Sequence, residues 1–185
     1  MNARASLPGN QGHHAVQVYR DDQHFCASIA DFLADGIAAG QPTLVIATAV
    51  HCDLIVTELG ARRFDAAALI ESGALLLLDA HEMLDHVVVN GELDAARFEQ
   101  SVGLAIQRLA ATGEPTVRAY DELVDVLWRA NQWKASLTVE ASLNALLEKH
   151  PFSLLCGYRM DAFFNHPAYK DVCACHTHVH DAVAV

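Results

Sequence analysis

Short, unbroken apolar runs alternate along the chain with longer stretches in which apolar residues recur every three to four positions. The first run covers 16–19, after which Phe25, Ile29, Phe32, Leu33 and Ile37 share one helical face over 22–39. Gly40 supplies a helix stop. Pro42 then opens the run 43–47, TLVIA, whose β-branched, uninterrupted character suits a strand covered on both faces. A helix over 50–61 and an acidic, alanine-rich stretch over 65–71 lead through Gly73 to a strand over 74–78, which ends at Asp79. Helix-prone residues over 81–89 stop at Asn90-Gly91, a turn signal, and one long amphipathic helix is expected over 94–111. The segment 112–115, TGEP, closes it. A strand over 116–120, helices over 121–130 and 134–149, and a fifth strand over 152–158 complete the pattern.

Strands alternating with helices imply right-handed crossovers and a mainly parallel sheet with helices on both faces, a three-layer α/β fold. Ligands of such sheets bind beyond the carboxyl ends of the strands. Those ends read Tyr19-Arg20-Asp21-Asp22, Thr48, Asp79-Ala80-His81, Tyr120-Asp121-Glu122 and Tyr158-Arg159-Met160-Asp161. The plainer reading of the acids is that they cap the helices that follow.

Composition and charge narrow the function classes. With 185 residues and 52% hydrophobic content the chain can bury one full core, so a single domain over 13–185 is expected behind a flexible arm over 1–12. The formal net charge of -11, with no dense Lys/Arg stripe, repels phosphate backbones and argues against direct nucleic-acid binding. The N-terminus has no apolar export segment, and no run approaches the ~18–20 apolar residues that cross a bilayer, which points to the cytoplasm. Five cysteines there are expected to be reduced, with Cys26, Cys52 and Cys156 packing as small hydrophobes.

The motifs of common enzyme classes are missing. Neither GxxxxGK[ST] nor GxGxxG, GxSxG or HExxH occurs, so the usual signals for a phosphate cradle, a dinucleotide site, an esterase elbow and a zincin are absent. Asp21-Asp22 after the first strand and Asp79 after the third are similar to the acidic pocket of a response-regulator receiver, but a receiver needs a lysine after its last strand and this chain offers Arg159-Met160. The tail offers a second chemistry: Cys173, Cys175, His176, His178 and His180 are soft and borderline metal ligands. Their spacing argues against a structural zinc site, because all come from one short segment instead of two knuckles. If 169–175 is helical, Cys173 and His176 lie about one turn apart.

The order of several pieces resembles the MEDS domain, the sensory module named for methanogen and methylotroph regulators and for the dichloromethane regulator DcmR. The pieces are HAVQVY from His14 to Tyr19, Asp21-Asp22, AAGQPTLVIAT, RAYDELVDVLW, LEKHPFSLLCGY and VCACHTHVH, which together run from His14 to His180. The resemblance implies a RecA/KaiC-like fold without a P-loop and a role in sensing small hydrocarbon-derived or other organic signals. Members are commonly fused to a helix-turn-helix, a histidine kinase or another signalling domain. Here only the N-terminal arm lies outside the match, so output is expected to pass to a separate partner, such as a histidine kinase or transcription regulator, or through self-association, with a homodimer as the default. No cofactor is required, and the Cys/His tail leaves a metal open.

A single ligand pocket is expected from the opening motif together with the fourth and fifth strands. His14, Gln17 and Tyr19 offer an imidazole, an amide and a phenol; Arg118 and Glu122 orient a polar ligand group or pair with each other; Glu140 and Tyr158 complete the candidates. The alternative makes Tyr19 and Trp128 core aromatics, Arg118–Glu122 a structural ion pair, His14 a solvated arm residue and Glu140 a surface charge.

Overall fold

The computed structural model describes residues 13–180 except positions 113, 115 and 165. The arm expected over 1–12, and Gly113 and Pro115 of the TGEP turn, lie outside the described residues. In chain order the elements are β1 (His14–Tyr19), α1 (Asp22–Ala38), β2 (Thr43–Ala47), α2 (Ala49–Ala61), α3 (Ala66–Glu71), β3 (Leu75–Asp79), α4 (Ala80–Val87), β4 (Val88–Val89), β5 (Glu92–Leu93), α5 (Ala95–Phe98), α6 (Leu104–Ala110), β6 (Val117–Asp121), α7 (Leu123–Arg129), α8 (Trp133–Lys149), β7 (Phe152–Arg159), α9 (Met160–Phe163), α10 (Tyr169–Cys175) and β8 (His178–His180). Six strands form one parallel sheet in the order β3-β2-β6-β7-β1-β8.

Local chemistry sets the boundaries. The carboxylates of Asp21, Asp65, Asp79 and Asp94 each accept backbone N–H groups from the first turn of the next helix, so the acids after strands 1 and 3 are helix caps. Gly40 ends the connection after α1 at φ +76. The helix expected over 81–89 stops at Val87, because Val88-Val89 pair with Glu92-Leu93 across Asn90-Gly91, both at positive φ, as a two-residue hairpin turn requires. The single helix expected over 94–111 carries a π-helical segment, Glu99–Gly103, between α5 and α6. A Cβ on Gly103 would stand 3.1 Å from Leu146 Cδ2, so the bulge packs against Leu146 of α8. The sheet has one strand more than the five expected, β8.

The core has two halves, one on each face. Val16, Val18, Leu44, Ala119 and Tyr158 pack under α4 to α8 and α10, whereas Ala15, Tyr19, Val45, Tyr120 and Leu155 pack under α1 to α3. This alternation is the period-2 side-chain rule of a strand buried on both sides. Neighbouring β2 and β6 therefore send their chains to opposite faces, α2 to one and α7 to the other. That divergence opens a crevice at their carboxyl ends. Among the described residues no helix is long and apolar enough to cross a membrane.

Candidate functional site

The crevice is a cleft of about 740 Å³ bordered by Tyr19, Asp22, Thr48, His51, Glu122, Arg129 and Arg159, with Leu84, Val88, Val126 and Leu127 as an apolar wall. Most polar members stand at a strand end or in the first turn of the helix that follows, and Arg129 closes α7. Glu122 is the organising group. It is fully buried, its Oε2 accepts the N–H of Thr48 at 2.9 Å, and its Oε1 lies 2.9 Å from His51 Nδ1 and 3.6 Å from Arg129 Nη2. Asp125, one turn along α7, accepts from the Tyr19 hydroxyl at 3.0 Å and the Arg159 N–H at 2.9 Å, and pairs with Arg129 Nε at 2.9 Å. Asp22 meets Arg159 Nη1 at 3.3 Å and His51 Nε2 at 3.7 Å, which joins the start of α1 to the end of β7 and to α2.

This packing shifts the proton equilibria. Burial opposes the charged form of His51, but the contact with Glu122 and the charge of Asp22 outweigh it, so its pKa is raised above 6.5. Burial raises the Asp125 carboxyl, against the pull of the Arg159 N–H and Arg129. Burial, then Asp125 and Glu122, hold the Tyr19 phenol far above its ordinary value, so it donates a proton in a hydrogen bond and does not ionise. A raised folded-state pKa at His51 gives a contribution to stability that is complete below about 6.5 and is lost as pH climbs through the folded value. The stability gap between the parent and His51→Asn is accordingly expected to narrow as pH rises from about 6.5, measured by urea unfolding at a series of pH values. A gap that stays constant through that range would remove His51⁺ from the network.

A second polar cluster lies away from the cleft on one face of the sheet, enclosed beneath α8. His14 Nε2 is 3.2 Å from Glu140 Oε2 and 3.3 Å from Cys156 Sγ, and His176 Nε2 is 3.4 Å from the same Glu140 oxygen. The Tyr158 hydroxyl donates to Glu140 Oε1 at 2.8 Å and stands 3.0 Å from Ser136 Oγ. Asn144 reaches both ends of the cluster, with Oδ1 3.0 Å from His14 Nδ1 and Nδ2 donating to the Cys175 carbonyl at 3.1 Å.

The family profile described as MEDS, the methanogen/methylotroph, DcmR sensory domain, matches residues 13–177. The chain belongs to the MEDS family. A solved structure that this MEDS chain resembles is a KaiC-like protein from the hyperthermophilic archaeon Pyrococcus horikoshii OT3, with TM-score 0.64 and 13% identity over 92% of this chain and 72% of that one. At that identity the likeness establishes the three-layer RecA/KaiC-type fold. No curated protein matches the chain. The loop after β1 carries Asp21 and Asp22, and Asp21 occupies the N-terminal amide of α1 at His24 with its own carboxylate, the opposite of a phosphate cradle.

The expected pocket divides into four places. Tyr19 and Glu122 are in the cleft; His14, Glu140 and Tyr158 belong to the enclosed cluster; Gln17 accepts from Ser28 of α1. Arg118 joins neither. Its guanidinium donates to Gln41 and to the Phe32 carbonyl and lies 4.9 Å over the Phe32 ring, at the amino end of β6, so it does not pair with Glu122. His14 is 1% exposed and Glu140 0%, which overturns both the solvated-arm and the surface-charge readings. In the tail, His176 reaches the cluster while Cys173, Cys175 and His178 do not supply ligand atoms to it. The tail candidates therefore do not meet as one ligand set. Cys156 is a member of a polar cluster and not merely a small hydrophobe. The receiver-like pocket also falls, since β2, β6 and β7 stand between β1 and β3 and keep Asp21-Asp22 away from Asp79. His51, Asp125 and Arg129 were not legible as site residues; the one signal was a histidine in the first turn of a helix after a strand.

Proposed function

We propose that this MEDS domain is a non-catalytic sensor of a small organic molecule held in the cleft at the carboxyl ends of the strands. The observation that carries this reading is the cleft itself, whose roughly 740 Å³ lies in the range of small-molecule sites and whose apolar wall faces a pre-formed polar network. The lining acids Asp22, Asp85 and Glu122 are met by Arg129, Arg159 and His51, whose pKa is raised despite its burial. Charge balance favours an uncharged ligand with a compact apolar body and one hydroxyl or carbonyl head. A charged ligand would have to break the ion pairs already made.

The polar network joins β1, α2, α7 and β7, so an occupant of the cleft touches both faces of the sheet at once. A ligand that binds one arrangement of α2 against α7 more tightly than another shifts the population between them. Output then passes to a separate signalling partner, such as a histidine kinase or transcription regulator, or through a homodimer. The net charge of -11 favours a protein partner over direct nucleic-acid contact.

A thermal-shift panel of short alcohols, ketones, amides and halogenated one-carbon compounds tests the reading. At a hundred times its dissociation constant a specific ligand adds about 2.7 kcal/mol of stability, a shift of several degrees. At least one uncharged class is expected to raise Tm, with carboxylates and amines inert. A panel in which no compound shifts Tm, or only charged ones do, would count against the cleft as a sensing site for neutral organic molecules.

A further inference from the structure

We propose that His14, Glu140, Cys156 and His176 form a transition-metal site of the zinc class, separate from the ligand cleft. The four offer one donor atom each, and these atoms all lie within 4.8 Å of one another. The tautomers decide what meets there. Val172 O can only accept, so His176 Nδ1 donates to it at 2.7 Å, and the buried Nε2 is left as a lone pair without a hydrogen-bond partner. Asn144 spends its N–H on the Cys175 carbonyl, so its Oδ1 accepts from His14 Nδ1, and His14 Nε2 is likewise a lone pair. Two imidazole lone pairs, a carboxylate oxygen and a sulfur thus converge on one point with no donor among them except the thiol. Acceptors aimed at one another call for a positive charge between them, either a proton on an imidazole or a metal cation, and the mixed donor set suits the metal.

The dimensions suit that cation. Zinc bonds of about 2.0–2.3 Å place tetrahedral donors about 3.3–3.6 Å apart. Of the six donor pairs, His14–Glu140 stands at 3.2 Å, His14–Cys156 at 3.3 Å, His176–Glu140 at 3.4 Å and Cys156–Glu140 at 4.0 Å, and the two remaining pairs lie within 4.8 Å, so the ligands draw in by a fraction of an ångström to over one ångström on binding. Binding would replace the thiol proton, which leaves to solvent as the sulfur–metal bond forms. The resulting unit of one divalent cation, one carboxylate, one thiolate and two neutral imidazoles has no net charge, which is what an enclosed site tolerates. The bonds from Asn144 to His14 and from Val172 to His176 orient the ligands as outer partners do in metal sites. Mixed nitrogen, sulfur and carboxylate donors in a closed tetrahedron select zinc or cobalt over magnesium or calcium. The donors come from β1, α8, β7 and the turn after α10, so the metal would staple the C-terminal segment to the core.

The test uses the full chain, stripped with a chelator and titrated with Co²⁺ and Zn²⁺. The expected result is one equivalent per chain, with intense tetrahedral d–d absorption and a thiolate-to-cobalt charge-transfer band. Cys156→Ser is expected to remove the charge-transfer band, whereas Cys173→Ser, Cys175→Ser and His178→Ala are expected to retain it. Asn144→Ala is expected to weaken binding by about 10–100-fold, since it releases His14. Hydrogen exchange of the parent protein, which needs no variant, is expected to slow over 169–180 on adding Zn²⁺. No stoichiometric Co²⁺ spectrum in the parent would overturn the site. So would a charge-transfer band that survives Cys156→Ser and is lost in Cys173→Ser, the signature of a chelate within the tail.

Discussion

Replacing Glu122 by alanine is expected to destabilise the protein by about 3–5 kcal/mol, the cost of leaving a buried charge network without one partner. The carboxylate is fully buried, accepts the Thr48 N–H and lies within ion-pair distance of His51 and Arg129. Its removal leaves the Thr48 amide without its acceptor and the enclosed imidazole with only Asp22. Urea unfolding reads the loss directly. A double-mutant cycle assigns it: His51 with Glu122 is expected to show a coupling of about 0.5–3 kcal/mol, and Arg118 with Glu122 a coupling within about 0.5 kcal/mol of zero. A loss below about 1 kcal/mol for Glu122→Ala, or a strong Arg118–Glu122 coupling, would mean that the network is not the one described.

Gly157→Ala is expected to cost about 1–3 kcal/mol through overpacking. Gly157 sits in β7 opposite Gln17 of β1, and a Cβ there would clash with Phe25 Cζ and stand 3.1 Å from Tyr120 Oη. Neither ring can withdraw easily, since Phe25 is stacked on Tyr19 at 3.9 Å between centroids and Tyr120 is fully buried. Phe25→Leu is expected to relieve part of the clash in the double variant. A Tm for Gly157→Ala equal to that of the parent would contradict this packing.

The fold was largely legible because its signals are local. TLVIA and SLLCGY are unbroken apolar runs of strand length, and the acids after β1 and β3 are helix caps in sequence as in structure. β8 was not legible, because three residues, HVH, carry no period and pair only through β1. The cleft was legible as a zone, since strand ends contributed Tyr19, Asp22, Thr48, Glu122 and Arg159. The partners within it were not. Arg118 and Glu122 are four positions apart, which on a helix would make neighbours, but along a strand four residues span about 13 Å. That puts the pair at opposite ends of β6. The enclosed cluster was beyond reach for a different reason. His14 meets Cys156 and His176 only because β1 lies between β7 and β8 while α8 crosses the same face, a long-range arrangement that side-chain order does not encode.

The central claim is that the carboxyl-end cleft holds the sensed molecule. Isothermal titration of the parent and of Ala130→Trp with the strongest uncharged compound tests it most directly, because Ala130 is an exposed residue at the cleft's rim and an indole there fills the entrance without entering the core. The expected result is one binding event per chain in the parent and a loss of at least about tenfold in affinity, 1.4 kcal/mol, in the blocked variant, with its unfolding transition unchanged. Binding at full affinity to Ala130→Trp would place the ligand elsewhere and contradict the account.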